Sequence, residues 1–181
     1  MQSNNEREHE RGCEHERGCE HEQHGCEHER KRERITNSVD ETRSLASRFG
    51  KIAEPGSIFL LCGDLGTGKT AFAQGLGAGL EVVEPISSPS FSLLKEYSSG
   101  RLPFFHADLY RVGAAALADI GLEDVISCGV VAVEWADLAP LEYFEEFLLI
   151  RFTGLGPESR KLVFEPVGGM GERLLKAVLE T

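Results

Sequence analysis

The chain has 181 residues, enough for one domain with a sizeable core, and a formal net charge of −11. Residues 1–34 hold 7 basic and 10 acidic side chains, which leaves 12 and 20 for the rest and a charge of −8 there. Such an acidic surface repels phosphodiester backbones, so we expect a protein partner rather than direct contact with nucleic acid. No run of about 18 apolar residues and no apolar segment behind the polar N-terminus is present, which predicts a cytoplasmic protein without a membrane span.

Residues 1–34 form a low-complexity segment of the units EHERGC, EHERGC, EHEQHGC and EHERKRER. Because almost no large apolar side chain occurs there, we expect it to be disordered or at most a solvated helix. Its cysteines and histidines are metal ligands by type, but they lack the CxxC clustering of a structural zinc site. Adventitious metal binding, an idle extension and a mistaken translation start are the alternatives. The two remaining cysteines, Cys62 and Cys128, fall on predicted strands as buried free thiols.

The predicted domain, residues 35–181, alternates strands with helices. The first helix covers SVDETRSLASRFGKI, where Leu45, Phe49 and Ile52 recur at helical spacing behind the N-cap candidate Ser38. The strand SIFLLC follows, and then the helix KTAFAQGLGAGL, which its glycines should end early.

The second half of the domain contains two hairpin-like pairs, FSLLKEY with LPFFHAD and FLLIRFT with KLVFEPV. Between the pairs lie a predicted helix, AALADIGLEDVI, and a buried strand, GVVAVEW; GERLLKAVL closes the chain as a helix. This alternation predicts an α/β three-layer sandwich, and the hairpins make its mainly parallel sheet mixed.

The segment GDLGTGKT, residues 63–70, directly follows the strand SIFLLC and satisfies the G-x-x-x-x-G-K-[ST] pattern in its strand–loop–helix context. The glycines let backbone N–H groups turn toward phosphate oxygens, and the helix that starts near Lys69 directs its positive end at them. Lys69 is expected to reach the β- and γ-phosphates, and Thr70 to offer its hydroxyl to Mg²⁺. A glycine-rich turn alone would require neither. The candidate nucleotide contacts of this P-loop are Asp64, Leu65, Gly66, Thr67, Gly68, Lys69 and Thr70.

Two carboxylates end predicted strands, Asp108 after FFHA and Glu134 after VVAV. Such positions face the crevice where α/β domains bind ligands, where a carboxylate can position the metal and the attacking water. Each could instead cap the following turn. Trp135 is either a core anchor or a nucleotide contact, and His106 either a strand residue with a satisfied hydrogen bond or a base.

The motifs GDLGTGKT, SSPSFSLLKEY, HADLYR and VEW, in this order and at this spacing, resemble the TsaE family of ATPases, which supports threonylcarbamoyladenosine modification of bacterial tRNA. The resemblance runs from residue 36 to about residue 175. Each motif alone is shared by many proteins, whereas the four in sequence are highly specific. Two residues depart from the family pattern: Ser90 replaces the threonine of SPTF but keeps a hydroxyl, and Ala71 replaces a second hydroxyl residue after the P-loop.

The resemblance implies a P-loop NTPase-like fold that binds ATP, with Mg²⁺ held by Thr70 and Glu134. It implies catalytic roles for Lys69, Asp108 and Glu134, with Asp108 near the γ-phosphate. Outside the P-loop, Ser90 in the loop SSPSF is implied to contact the nucleotide as a candidate γ-phosphate sensor. Trp135 is implied to lie beside the nucleotide or the partner surface.

The resemblance also implies an adenine position near residues 40–42 and the loop before Arg160. Family members hydrolyse ATP slowly and act with TsaB and the carbamoyl-transferring subunit TsaD, so tRNA would be reached only through these partners. Removing residues 1–34 should leave nucleotide affinity unchanged.

Three alternatives follow from the residues. A Ras-type GTPase needs an Asn-Lys-x-Asp segment, but the last asparagine is Asn37. A small-molecule kinase usually carries several lid arginines, but only Arg101 and Arg111 occur between the P-loop and Glu134. A nucleotide-gated binding module with negligible chemistry is the third alternative.

Overall fold

A computed structural model describes residues 32–89, 92–111, 113 and 121–180 of the chain. In chain order its strands are β1 (Arg32–Thr36), β2 (Ile58–Cys62), β3 (Leu94–Tyr97), β4 (Phe104–Asp108), β5 (Val130–Glu134), β6 (Phe147–Gly154) and β7 (Arg160–Val167). The α-helices in this part of the chain are α1 (Val39–Ile52), α2 (Lys69–Gly79), α3 (Leu122–Ile126) and α4 (Gly168–Leu179).

The strands form one sheet in the order β1-β7-β6-β2-β5-β4-β3. The four strands β4, β5, β2 and β6 run parallel to one another, while β3 at one edge is antiparallel to β4 and β7 near the other edge is antiparallel to β6. At the far edge, β1 is antiparallel to β7. The predicted α/β fold with a mixed sheet and flanking helices is therefore confirmed. The carboxyl ends of β2, β4 and β5 meet at one edge, which is where the P-loop begins.

Glycines allow α1 and α2 to pack closely. A Cβ atom added to Gly75 would overlap the carbonyl oxygen of Arg43, and one added to Gly79 would overlap that of Ser47. Phenylalanine rings fill the space between this helix pair and the sheet, with centroids 5.5–6.5 Å apart: Phe49, Phe59, Phe72, Phe152 and Phe164. Because α2 packs against both α1 and the phenylalanine rings of the sheet, its N-terminus at the P-loop is held in place.

Strand β1 was not predicted. It begins at Arg32, inside the segment 1–34 that was expected to be disordered or at most a solvated helix. Its pattern RERIT buries only Thr36, so neither alternation nor hydrophobicity signals a strand. It is held instead by β7 and by the C-terminal end, where Arg32 pairs with Glu180 at 2.8 Å and Arg34 donates to the carbonyl of Leu179 at 2.7 Å. The prediction for residues 1–31 lies outside the described residues.

The predicted start of α1 is confirmed, since the Glu41 amide donates to the Ser38 hydroxyl at 3.1 Å. Cys62 is buried as expected, but the prediction for Cys128 is wrong: this thiol is exposed in the turn between α3 and β5. The first part of the predicted helix AALADIGLEDVI lies outside the described residues. Within the described ranges, no helix is long and apolar enough to cross a membrane.

Candidate nucleotide-binding site

The P-loop joins β2 to α2 through three glycines in the left-handed region, with φ of 136° at Gly63, 78° at Gly66 and 105° at Gly68. The Thr67 hydroxyl donates to the carbonyl of Asp64 at 2.8 Å and closes the loop on itself. Among the described residues, no side chain caps the first turn of α2. The backbone N–H groups at this helix start are therefore available to an anion.

The Lys69 ammonium is folded back into the loop. Its Nζ donates to the carbonyl oxygens of Gly63 at 2.6 Å and Asp64 at 2.8 Å, and lies 3.7 Å from the ring centroid of Trp135. Burial lowers the pKa of Lys69, while nearby carboxylates, Glu134 first among them, oppose that shift. In the loop this ammonium is hydrogen-bonded to neutral carbonyl oxygens, so an anionic ligand that entered the loop would supply a negative counter-charge.

The two strand-ending carboxylates lie side by side, because Asp108 on β4 pairs in register with Glu134 on β5. The Thr70 hydroxyl donates to Glu134 Oε2 at 3.0 Å, so the candidate magnesium ligands are adjacent. Asp108 accepts from the Ser88 hydroxyl at 2.6 Å and from the Tyr110 amide at 3.0 Å. Asp108 therefore caps the turn after β4, which was the alternative to a role in binding, and it also faces the cleft.

A hydroxyl and a carboxylate are hard oxygen ligands that suit Mg²⁺. The described part of the chain contains no group of three or more His, Cys, Asp or Glu side chains placed to hold a metal. Because Mg²⁺ is usually bound by one or two protein ligands together with substrate phosphates, the pair Thr70 and Glu134 fits such an ion.

A cleft of ≈ 380 Å³ opens above these groups. It is lined by Leu65, Gly66, Gly68, Lys69, Thr70, Ser88, Asp108, Tyr110, Glu134 and Trp135. Trp135 forms one wall, with φ of 59°, and its ring packs against Tyr110 at 4.6 Å between centroids. Sequence-predicted residues from the P-loop, β4 and β5 are thus brought together in one cleft.

A second cleft, of ≈ 410 Å³, shares Gly66 and Gly68 with the first and continues toward the start of α1. Asp40, Thr42 and Arg160 line it. The Arg160 guanidinium donates to the carbonyl of Gly66 at 3.3 Å and so ties the loop before β7 to the P-loop. This is the region where the resemblance implied adenine, and that placement stays a prediction.

Sequence reasoning missed two contacts of the site. The Ser88 hydroxyl donates to Asp108, and the predicted nucleotide contact Ser90 lies outside the described residues. His106 is fully buried and bonds Glu134 through Nε2 at 2.8 Å, which agrees with the interpretation of a strand residue that has one satisfied hydrogen bond. The only sequence signal for this second contact was that His106 precedes Asp108 by two residues and so shares its face of β4.

Comparisons with known proteins identify the family. The model of the family described as "Threonylcarbamoyl adenosine biosynthesis protein TsaE" matches residues 36–162. The chain belongs to the TsaE family. A TsaE protein of Bacillus subtilis is 37% identical over 140 residues, which cover 77% of this chain and 88% of that protein. A TsaE protein of Treponema pallidum is 35% identical over 130 residues, 71% of this chain and 96% of that protein.

The fold agrees with that of a solved relative. The crystal structure of Bacillus subtilis YdiB superposes with a TM-score of 0.71 at 33% identity, covering 83% of this chain and 95% of that one. TsaE membership agrees with the motifs described above, since the matched range 36–162 contains the P-loop, Asp108, Glu134 and Trp135.

Proposed function

We propose that this TsaE protein is a cytoplasmic ATP-binding subunit that slowly hydrolyses ATP in support of threonylcarbamoyladenosine modification of tRNA. The observation that carries the proposal is the 3.0 Å contact between Thr70 of the P-loop and Glu134 of β5. A phosphate-binding loop alone is a structural motif, whereas a carboxylate held against its hydroxyl supplies the second half of a metal-dependent site.

Four of the cleft residues have a role in this proposal. Lys69 leaves the carbonyl oxygens of the loop and binds the β- and γ-phosphates, while the start of α2 donates backbone N–H groups to them. Thr70 and Glu134 hold Mg²⁺, which neutralises charge on the phosphates when it is bound. Asp108 borders the same cleft, where its carboxylate orients the attacking water and accepts a hydrogen bond from it.

The proposed partners are TsaB and TsaD, with tRNA reached only through them. The charge of −8 over residues 35–181 supports protein rather than tRNA contact. At the mouth of the cleft, Leu65 is 78% exposed and Tyr110 52% exposed. Large exposed apolar side chains around a nucleotide cleft suit a partner that reads the nucleotide state of the subunit.

A second function, an ATP-gated binding module with negligible chemistry, is favoured by one observation. Asp108 already accepts hydrogen bonds from Ser88 and Tyr110, and Glu134 from Thr70 and His106. Carboxylate oxygens that already accept these hydrogen bonds have less capacity to accept one from an attacking water, so hydrolysis by the isolated subunit should be slow.

The two functions are separated by measuring phosphate release from ATP and from GTP, with and without purified TsaB and TsaD. The proposal expects ATP-selective release that rises with the partners and is lost in Glu134→Gln. If ATP binds but no mixture releases phosphate, and Glu134→Gln still supports tRNA modification, the gated module replaces the ATPase.

A further inference from the structure

The carboxylate of Glu134 is held from two sides. Oε2 accepts from Thr70 at 3.0 Å on the side of the cleft. Oε1 accepts from His106 Nε2 at 2.8 Å, and the histidine side chain is fully buried and does not line the cleft. One oxygen is thus anchored inside the protein, and the other is directed at the P-loop.

The ring of His106 is oriented by stacking. It lies 6.0 Å from the ring of Phe104 at an interplanar angle of 21°, and Phe104 in turn stacks on Tyr97 at 6.0 Å and 26°. The three rings form a row across β3 and β4, which fixes the imidazole plane. Because a carboxylate can only accept, the proton of this contact resides on Nε2.

The other ring nitrogen has no hydrogen-bond partner among the residues that the structure describes, although it is buried. A buried polar atom without a partner is destabilising, and an apolar side chain at position 106 would avoid that cost. Within the described part of the chain, the contact with Glu134 is the one hydrogen bond that distinguishes histidine from such a side chain.

We propose that His106 is a positioning residue for the magnesium site: it anchors Glu134 Oε1 so that Oε2 stays directed at Thr70 and the metal. The inference rests on the proposed function, because it assigns His106 a role through Glu134. His106 does not touch the cleft and is not a catalytic residue. Removing a residue that hydrogen-bonds to a metal ligand without contacting the metal typically changes metal affinity or activity by about 10–100-fold.

The test compares ATP affinity in excess Mg²⁺ with ATP affinity in EDTA, measured by calorimetry on the full chain. His106→Leu removes the donor, and we expect it to reduce this magnesium enhancement by about 10-fold or more while leaving the affinity in EDTA within about twofold. His106→Gln keeps a donor near the position of Nε2 and should restore most of the enhancement. Phe105→Leu is the matched control, since this buried side chain lies on the opposite face of the sheet from His106 and Glu134.

Four outcomes decide the question. A normal enhancement in His106→Leu, or an equal loss in Phe105→Leu, would overturn the inference. In a double-mutant cycle, His106→Leu should add no further loss to Glu134→Gln, and an additive loss would also overturn it. If Glu134→Gln alone keeps the enhancement, the magnesium site itself is wrong and the inference falls with it. If His106→Leu does not fold, His106→Asn, whose shorter amide leaves Glu134 without its donor, takes its place with the same expectations.

Discussion

Replacing Lys69 by methionine tests the site directly, because methionine keeps the apolar stem and removes the ammonium. In the free protein the ammonium makes hydrogen bonds of 2.6 and 2.8 Å to the carbonyl oxygens of Gly63 and Asp64, which it must exchange for bonds to phosphate. A charge-assisted hydrogen bond contributes about 1.5–3 kcal/mol, or about 10- to 150-fold in affinity. Only the difference in free energy between the hydrogen bonds to phosphate and those to the carbonyl oxygens contributes to ATP affinity. We therefore expect ATP affinity to fall by about 10- to 30-fold.

The folded state should tolerate Lys69→Met. The variant loses two hydrogen bonds and the contact with Trp135, but it no longer buries a charge, so the free energy of unfolding should change by less than about 2 kcal/mol. Calorimetric titration with ATP and AMP is the assay, and AMP is the control because it lacks the β- and γ-phosphates. ATP affinity within twofold of the unchanged protein, or an equal loss for AMP, would refute the placement of Lys69 at those phosphates.

Three further predictions follow. Because burial lowers the pKa of Lys69 below 10.5, the native state holds fewer protons than the unfolded state between that lowered pKa and 10.5. In this pH window the contribution of Lys69 to the free energy of unfolding rises with pH, while ATP affinity falls. Lys69→Met should abolish both pH dependences, measured by denaturant unfolding and by ATP titration at a series of pH values. Deleting residues 1–31 should leave the Kd for ATP unchanged. Deleting residues 1–34 also removes three of the five residues of β1 and should lower Tm. A normal Tm in the second deletion would mean that β1 adds no stability. Burial is the main cause that raises the pKa of Cys62 to about 12. Iodoacetamide at pH 8 should therefore modify the exposed Cys128 and leave Cys62 unmodified until urea is added, as measured by peptide mass spectrometry.

Local patterns predicted the P-loop and its flanking elements. The sequence around Ser38 specifies a helix start through one side chain and the amide three residues later. The glycines at 63, 66 and 68 specify a loop that only residues tolerant of positive φ can form. Such signals lie within a few residues of one another, so they can be interpreted without knowledge of the fold.

Contacts between distant residues could not be predicted in this way. The hydrogen bond between His106 and Glu134 depends on the register of β4 against β5, which pairs His106 with Ala132 and Asp108 with Glu134. A shift of one residue would turn His106 to the other face of the sheet. Strand β1 likewise depends on partners in β7, and its own sequence is mostly charged.

The ion pair between Arg32 and Glu180, at 2.8 Å, brings the first and last described residues of the domain together. With residues 1–31 removed, domain ends this close can be joined by a short linker and the chain reopened at an exposed turn without rearranging the core. The hairpin tip at residues 98–99 is such a turn, at the edge of the sheet away from β1. A circular permutant that starts there should fold and still bind ATP, because the connection between β2 and α2 that forms the P-loop stays intact.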